Sequence, residues 1–250
     1  MPYRFATERT DDSDLASGVV LHSAPGYPAY PARLAVEIFC RALAHTGTGQ
    51  PVTLWDPCCG SGHLATVLGW LERPAIGQIV CSDVDTEAIT LARKNLALLT
   101  EEGLAARERE RLEQSERFGK PAYQEAAAAT RRRAVRLAAD GGSLPWRAAQ
   151  ADAFDPAALR DLLADTAPDL VITDVPYGER THWGGGAPEQ PIPALLRSLA
   201  AVLPPHAVVA VSNRGRKIPV APLRPLERLK IGTRSVVLLR AGDIGHEQQP

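Results

Sequence analysis

Short apolar runs alternate with amphipathic stretches along most of this chain. PVTLWDP (51–57), GQIVCSD (77–83), AAQADAF (148–154), PDLVITDV (168–175), HAVVAVSN (206–213), LERLKIG (226–232) and RSVVLLRA (234–241) read as strands. Between them lie stretches with helical spacing. Leu34, Ile38 and Leu43 mark one over 31–45, with Pro31 at its start. Further helices are expected over 62–72, over 85–99 with Asp85 as its cap, over 156–164 and over 191–203. Alternating strands and helices imply a mostly parallel sheet covered by helices on both faces. The strands are near-continuous apolar runs, as that double coverage requires.

Two segments break the rhythm. Residues 100–145 are long, charged and alanine-rich, which favours two helices broken near Gly119-Lys120-Pro121. They form an expected helical insertion between the second and third strands. Residues 214–225 carry Pro219, Pro222 and Pro225 and are no regular helix. The whole reads as one large α/β domain over 1–250, with 1–48 as an N-terminal extension and helix.

Composition narrows the classes. A chain of 250 residues with 45% hydrophobic content and net charge −1 is neither disordered nor globally basic. Its four cysteines, Cys40, Cys58, Cys59 and Cys81, form no CxxC pair and join no histidine cluster, so no metal is expected. Their apolar flanks suit reduced thiols in a cytoplasmic setting. The first residues lack the apolar core of a signal peptide, and no run approaches the length of a membrane span.

Chemistry concentrates where strands end. LWDPCCGSGHLATVLG puts a glycine-rich turn between a strand and a helix. Gly60 and Gly62 permit a tight bend and close approach of a ligand, and the helix start offers free N–H groups. The next strand ends in Asp83, whose carboxylate can accept from both hydroxyls of a ribose. GSGHLA formally fits the dinucleotide fingerprint GxGxxA, but Asp56 at the head of the turn would repel a pyrophosphate. It would attract the ammonium of an amino-acid tail. Asp152 could accept from an adenine amine, with Val84 or Phe154 against the ring. Ser61 and His63 could touch a ligand or simply close the turn.

DPCCGSG, SDVD, ADAF and DVPY, in that order and at those strand ends, resemble the motifs of class I S-adenosylmethionine-dependent methyltransferases. The resemblance makes the chain a single methyltransferase domain with a Rossmann-like fold: a seven-stranded, mostly parallel sheet with an antiparallel last strand. It also implies S-adenosylmethionine as cofactor, S-adenosylhomocysteine as product, and no metal. Carried over, Asp56, Cys58, Gly60 and Gly62 fall around the methionine portion, Asp83 on the ribose, Val84 on the adenine, and Asp152 with Ala153 at its amine.

Asp174, Val175, Pro176 and Tyr177 then form the catalytic turn. Asp174 and the Val175 carbonyl can accept hydrogen bonds from a base nitrogen, Pro176 stiffens the turn, and Tyr177 can stack on the base. This resembles the N/D-P-P-Y/F motif of methyltransferases acting on base or glutamine amines, with Val175 in place of the first proline. A ring nitrogen that loses a proton would instead use Asp174 as a general base. Trp183 is a candidate second stacking residue, and Tyr27 and Tyr30 either border the cleft or pack beside it.

From 213 to 240 there are eight basic side chains, Arg214, Arg216, Lys217, Arg224, Arg228, Lys230, Arg234 and Arg240, against one acid, Glu227. A basic loop beside the site suits a phosphate backbone, with Arg214, Arg216 and Lys217 nearest it. TRRRAVR (130–136) in the insertion is either a further basic contact or a solvated helix face. DPCCGSGHLATVLG, the arginine-rich insertion and TDVPYGERTHWGGG together resemble the avilamycin-resistance rRNA methyltransferases. That resemblance implies methylation of a guanine of 23S rRNA, at ring N1 or at N2, as naked RNA or in the large ribosomal subunit, with resistance to avilamycin-type antibiotics. Nothing calls for an obligate protein partner. Two other readings use the same turn or the same face: a methyltransferase of DNA adenine or protein glutamine, and a cofactor-binding scaffold that docks on RNA without turnover.

Overall fold

A computed structural model describes residues 3–8, 13–15, 18–175, 188–215 and 217–246. The strands are β1 (Val52–Asp56), β2 (Ile76–Asp83), β3 (Trp146–Gln150), β4 (Leu170–Asp174), β5 (Val208–Arg214), β6 (Glu227–Ile231) and β7 (Arg234–Arg240). They form one seven-stranded sheet in the order β3-β2-β1-β4-β5-β7-β6. β7 runs antiparallel to both β5 and β6, and the other pairings are parallel. This is the sheet that the strand pattern and the resemblance imply.

Neighbouring residues within each strand point to opposite faces. Leu54, Ile79, Leu170, Val208 and Leu238 join one core with helices α1 (Ala32–Thr46), α2 (His63–Leu71) and α3 (Thr86–Ala97). Trp55, Val80, Val171, Val209 and Leu239 join the other with α6 (Pro156–Leu163), α7 (Pro191–Ala200) and α8 (Ala241–His246). Apolar residues at successive positions therefore serve two cores, which is why the runs lack alternation. Among the described residues no helix is long and apolar enough to cross a membrane.

The strand order reverses at β1, which lies between β2 and β4. The crevice beyond the carboxyl ends of β1 and β4 is thus the topological switch point, where ligands bind in such sheets. Asp56 and Asp174 are the last residues of those two strands. Because β7 is antiparallel, its first residue, Arg234, pairs with Arg214, the last of β5. Antiparallel pairing thereby brings a residue from late in the chain to the same edge.

Between β2 and β3 the chain forms the helical hairpin α4 (Glu101–Phe118) and α5 (Pro121–Ala139). Three of its arginines are buried and hold the N-terminal segment. Arg107 Nε donates to the Val20 carbonyl at 2.9 Å, and Arg111 Nη2 to those of Gly18 and Val19 at 2.6 and 2.9 Å. Arg133 pairs with Asp14 at 2.8 Å. Arg131 pairs with Glu108 and Arg136 with Asp140. Of the TRRRAVR run, Arg133 is buried, whereas Arg131, Arg132 and Arg136 are exposed, Arg131 and Arg136 within surface ion pairs.

Candidate active site

The glycine turn is strapped to the end of β2. Cys59 N donates to the Ser82 carbonyl at 2.9 Å, and Gly60 N to Asp83 Oδ2 at 2.8 Å. Asp83 Oδ1 accepts from Asp85 N at 3.0 Å. A carboxylate oxygen has two acceptor sites, so both oxygens of Asp83 retain capacity for a hydroxylated ligand. Burial raises the Asp83 pKa, and the backbone N–H groups oppose that shift. Asp85 is the cap of α3, accepting from Glu87 N at 2.8 Å.

The two glycines differ. Gly60 has φ +52°, and a Cβ there would make only ordinary contact with the Tyr27 ring. Gly62 has φ +71°, and its Cβ would come within 3.1 Å of Ala92 on α3. Gly62 is therefore required for close packing of the turn on α3, whereas Gly60 carries the N–H that holds Asp83.

Asp56 is 2% exposed and accepts from Cys58 N at 3.3 Å. Burial pushes its pKa up to about 7. Burial also raises Cys58 well above the usual thiol range, which leaves it protonated and a poor nucleophile. Cys59 is buried and raised likewise, foremost by its hydrogen bond with Cys81.

Val84 is a large apolar side chain left 45% exposed beside Asp83. Its carbonyl accepts from Gln150 Nε2 at 2.9 Å, which fixes the crevice wall. β3 ends at Gln150, four residues short of the expected Phe154. The reason is local: Asp152 Oδ1 accepts from Phe154 N at 2.8 Å, folding ADAF into a turn, and Asp155 then caps α6. Ala153 is buried in that turn and Asp152 is exposed.

On the other side of the crevice, Asp174 ends β4 and makes an ion pair with Arg234. Burial raises the Asp174 pKa, and the Arg234 guanidinium opposes it. Val175 N donates to the Ser212 carbonyl at 2.9 Å and the Val175 side chain is buried in the core, so this valine anchors the turn. Pro176, Tyr177 and Trp183 lie outside the described residues, as does Arg216. Arg214, the last residue of β5, and Lys217, three residues on, are exposed.

The segment before α1 closes the arrangement. Asn95 on α3 is fully buried. It accepts from His22 N at 2.7 Å and donates to the carbonyls of His22 at 3.1 Å and Ser61 at 2.9 Å. Tyr27 donates its hydroxyl proton to Asp85 at 2.7 Å. Tyr30 N donates to His63 Nδ1 at 3.3 Å, and burial lowers the His63 pKa, so the ring is a neutral acceptor. The Tyr30 hydroxyl donates to Ser212 Oγ at 3.0 Å, and the Arg234 guanidinium lies 4.4 Å from the Tyr30 ring centre. Tyr27 thus borders the glycine turn and Tyr30 packs beneath the site. Arg234, Ser212 and Asn95 are the residues that sequence patterns do not single out. Arg234 reads there as surface charge, yet its side chain is 4% exposed. The basic face is smaller by that residue.

The model of the rRNA methyltransferase AviRa family matches residues 1–234. The chain belongs to the AviRa rRNA methyltransferase family. A curated family member from Streptomyces viridochromogenes, a 23S rRNA (guanine(2535)-N(1))-methyltransferase, is 65% identical over 97% of each chain. Two solved structures of the AviRa rRNA methyltransferase from that organism superpose with TM-scores of 0.94 and 0.93, at 63% and 64% identity, each covering both chains fully. The described residues therefore share the AviRa fold.

Proposed function

We propose that this chain transfers a methyl group from S-adenosylmethionine to N1 of a guanine in 23S rRNA, and thereby confers resistance to avilamycin-type antibiotics. The observation that carries the reading is the 65% identity, over 97% of each chain, to a 23S rRNA guanine N1 methyltransferase. The site's chemistry supports it. Asp83 offers carboxylate acceptors for ribose hydroxyls, Val84 an exposed apolar surface for adenine, and Asp152 an acceptor for its amine. Asp56 and the Gly60 turn would meet the methionine tail. Cys58, Gly62 and Ala153 shape that turn and its wall by packing. The cofactor, when bound, supplies an electrophilic methyl group on a sulfonium.

The chain's own task is to orient a planar nucleophile and take up its proton. Asp174 would accept the hydrogen bond from guanine N1–H, and the Val175 carbonyl would accept from the neighbouring amine. Pro176, Tyr177 and Trp183 would enclose the base, and Arg214, Arg216 and Lys217 would meet its phosphates. A ribosomal RNA substrate, free or in the large subunit, puts the reaction in the cytoplasm.

Transfer of a labelled methyl group to bacterial 23S rRNA tests the reading. Label is expected in RNA with the wild-type chain. Asp174→Ala should bind S-adenosylhomocysteine normally and lose most transfer. No label in either naked rRNA or ribosomal subunits would overturn the substrate.

A further inference from the structure

Arg234 sits where an arginine is hard to keep. Its side chain is 4% exposed, and that of Asp174, its partner, is 18% exposed. A buried guanidinium persists only when its charge and its donors are met. Here the groups that meet it form a closed circuit. Asp174 Oδ1 accepts from Arg234 Nη1, and the guanidinium lies over the Tyr30 ring. The Tyr30 hydroxyl donates to Ser212 Oγ, and the Ser212 carbonyl accepts from Val175 N, the residue after Asp174. Four separate pieces of chain, β4, β5, β7 and the segment before α1, thus converge on one carboxylate.

We propose that Arg234 is a positioning residue for methyl transfer: it fixes the orientation and charge of the Asp174 carboxylate, while Tyr30 holds the guanidinium in place. This rests on the reading of Asp174 as the group that meets the substrate base. The planar fork of arginine can fix the orientation of a carboxylate, and its delocalised face can lie on an aromatic ring, whereas lysine offers a point charge. A carboxylate at the end of a strand otherwise keeps its side-chain torsions free. Misplacement of a reacting group by ~1 Å lowers rate by about 100-fold.

Charge makes the role separable from mere packing. Among the described residues, the charged groups that face Asp174 include Arg234 on β7, Arg214 on β5 and, through its coupling with Asp174, Asp56 on β1; the Ser212 side chain also hydrogen-bonds the carboxylate. Arg234 and Arg214 favour the ionised form, and burial and Asp56 disfavour it. Removing Arg234 therefore raises the pKa of Asp174. If transfer needs the carboxylate, the acid limb of the kcat profile moves to higher pH.

The test is steady-state methyl transfer to 23S rRNA as a function of pH, for wild type, Arg234→Met, Arg234→Lys, Tyr30→Phe and Asp174→Asn. Binding of S-adenosylhomocysteine reports whether each variant is folded. Arg234→Met is expected to lower kcat by about 100-fold with little change in KM, and to shift the acid limb upward. Arg234→Lys should keep the acid limb near its wild-type place and recover only part of kcat. Tyr30→Phe should lower kcat modestly without moving the limb. If Arg234→Met does not fold, Arg234→Lys decides: a wild-type kcat and profile there overturns the proposal. So does a wild-type kcat in a folded Arg234→Met when Asp174→Asn is inactive. An active Asp174→Asn would instead overturn the reading of Asp174 itself.

Discussion

A carboxyl at the end of a fully covered strand loses most of its water, so its charge depends on what the neighbouring strands supply. Asp174 is supplied with Arg234. Asp56, one strand away, pairs with no cation among the described residues and is pushed up to about 7. The sign follows from linkage. A carboxyl whose pKa is raised on folding contributes stability below its unfolded value, and that contribution is lost as pH rises through the folded value. Asp56→Asn should therefore gain stability relative to wild type as pH rises from about 5 to about 8, on the order of a few kcal/mol in total. Thermal melts across that range check it; parallel curves would contradict the shift. A cationic amine beside Asp56 would pull its pKa down again. S-adenosylhomocysteine should thus release protons on binding near pH 7, whereas methylthioadenosine, which lacks the amine, should not. Calorimetry in buffers of different ionisation enthalpy reads the difference. Asp56, Asp83 and Asp174 were legible in sequence as the acids that close three strand runs. Arg234 was not, because its partner is 60 residues away and only the antiparallel pairing of β7 brings them together.

Elements position these residues through a few polar ties. Asn95 is the clearest: one buried amide joins α3, the glycine turn at Ser61 and the N-terminal segment at His22. Asn95→Leu would leave three backbone groups without that partner, at about 1–3 kcal/mol for each that stays buried. The variant should melt earlier and bind S-adenosylhomocysteine more weakly, since the turn loses its strap. Unchanged affinity would show that the turn is held by β2 alone. Helix and strand positions were legible from spacing, as α1 at 32–46 against an expected 31–45 illustrates. The end of β3 was not, because an aspartate turn at Asp152 stops a run that apolar content alone would extend. The arginines of the α4–α5 hairpin were ambiguous for a different reason. Sequence shows their charge, but not that Arg107, Arg111 and Arg133 meet carbonyls and a carboxylate of residues 14–20.

At the scale of the whole molecule the question is how a chain of net charge −1 grips RNA. Charge is segregated: Arg214, Lys217, Arg224, Arg228 and Lys230 are exposed on the last third of the chain. Arg228 and Lys230 lie on β6, the edge strand, where basic side chains also discourage edge pairing with another sheet. Arg214 ends β5, the strand that pairs with β4 at Asp174, and it and the nearby Lys217 are the residues proposed to meet RNA directly. Arg214→Ala with Lys217→Ala should weaken rRNA binding and reduce the salt slope by about 0.7–0.9 for each phosphate no longer neutralised. An unchanged slope would move the RNA to another face. Fold and family were readable at this scale because four motifs occur in order at or just after strand ends; the atom methylated was not, since an acid and a backbone carbonyl at residues 174–175 suit an exocyclic amine and a ring N–H alike, and the Val175 side chain is buried in the core. The central claim is methylation of guanine N1 in 23S rRNA. Nucleoside mass spectrometry of 23S rRNA modified in vitro tests it most directly, with primer extension to locate the site. The account predicts 1-methylguanosine, with a reverse-transcriptase stop at a single guanine. N2-methylguanosine, a methylated adenosine, or unmodified RNA would contradict it.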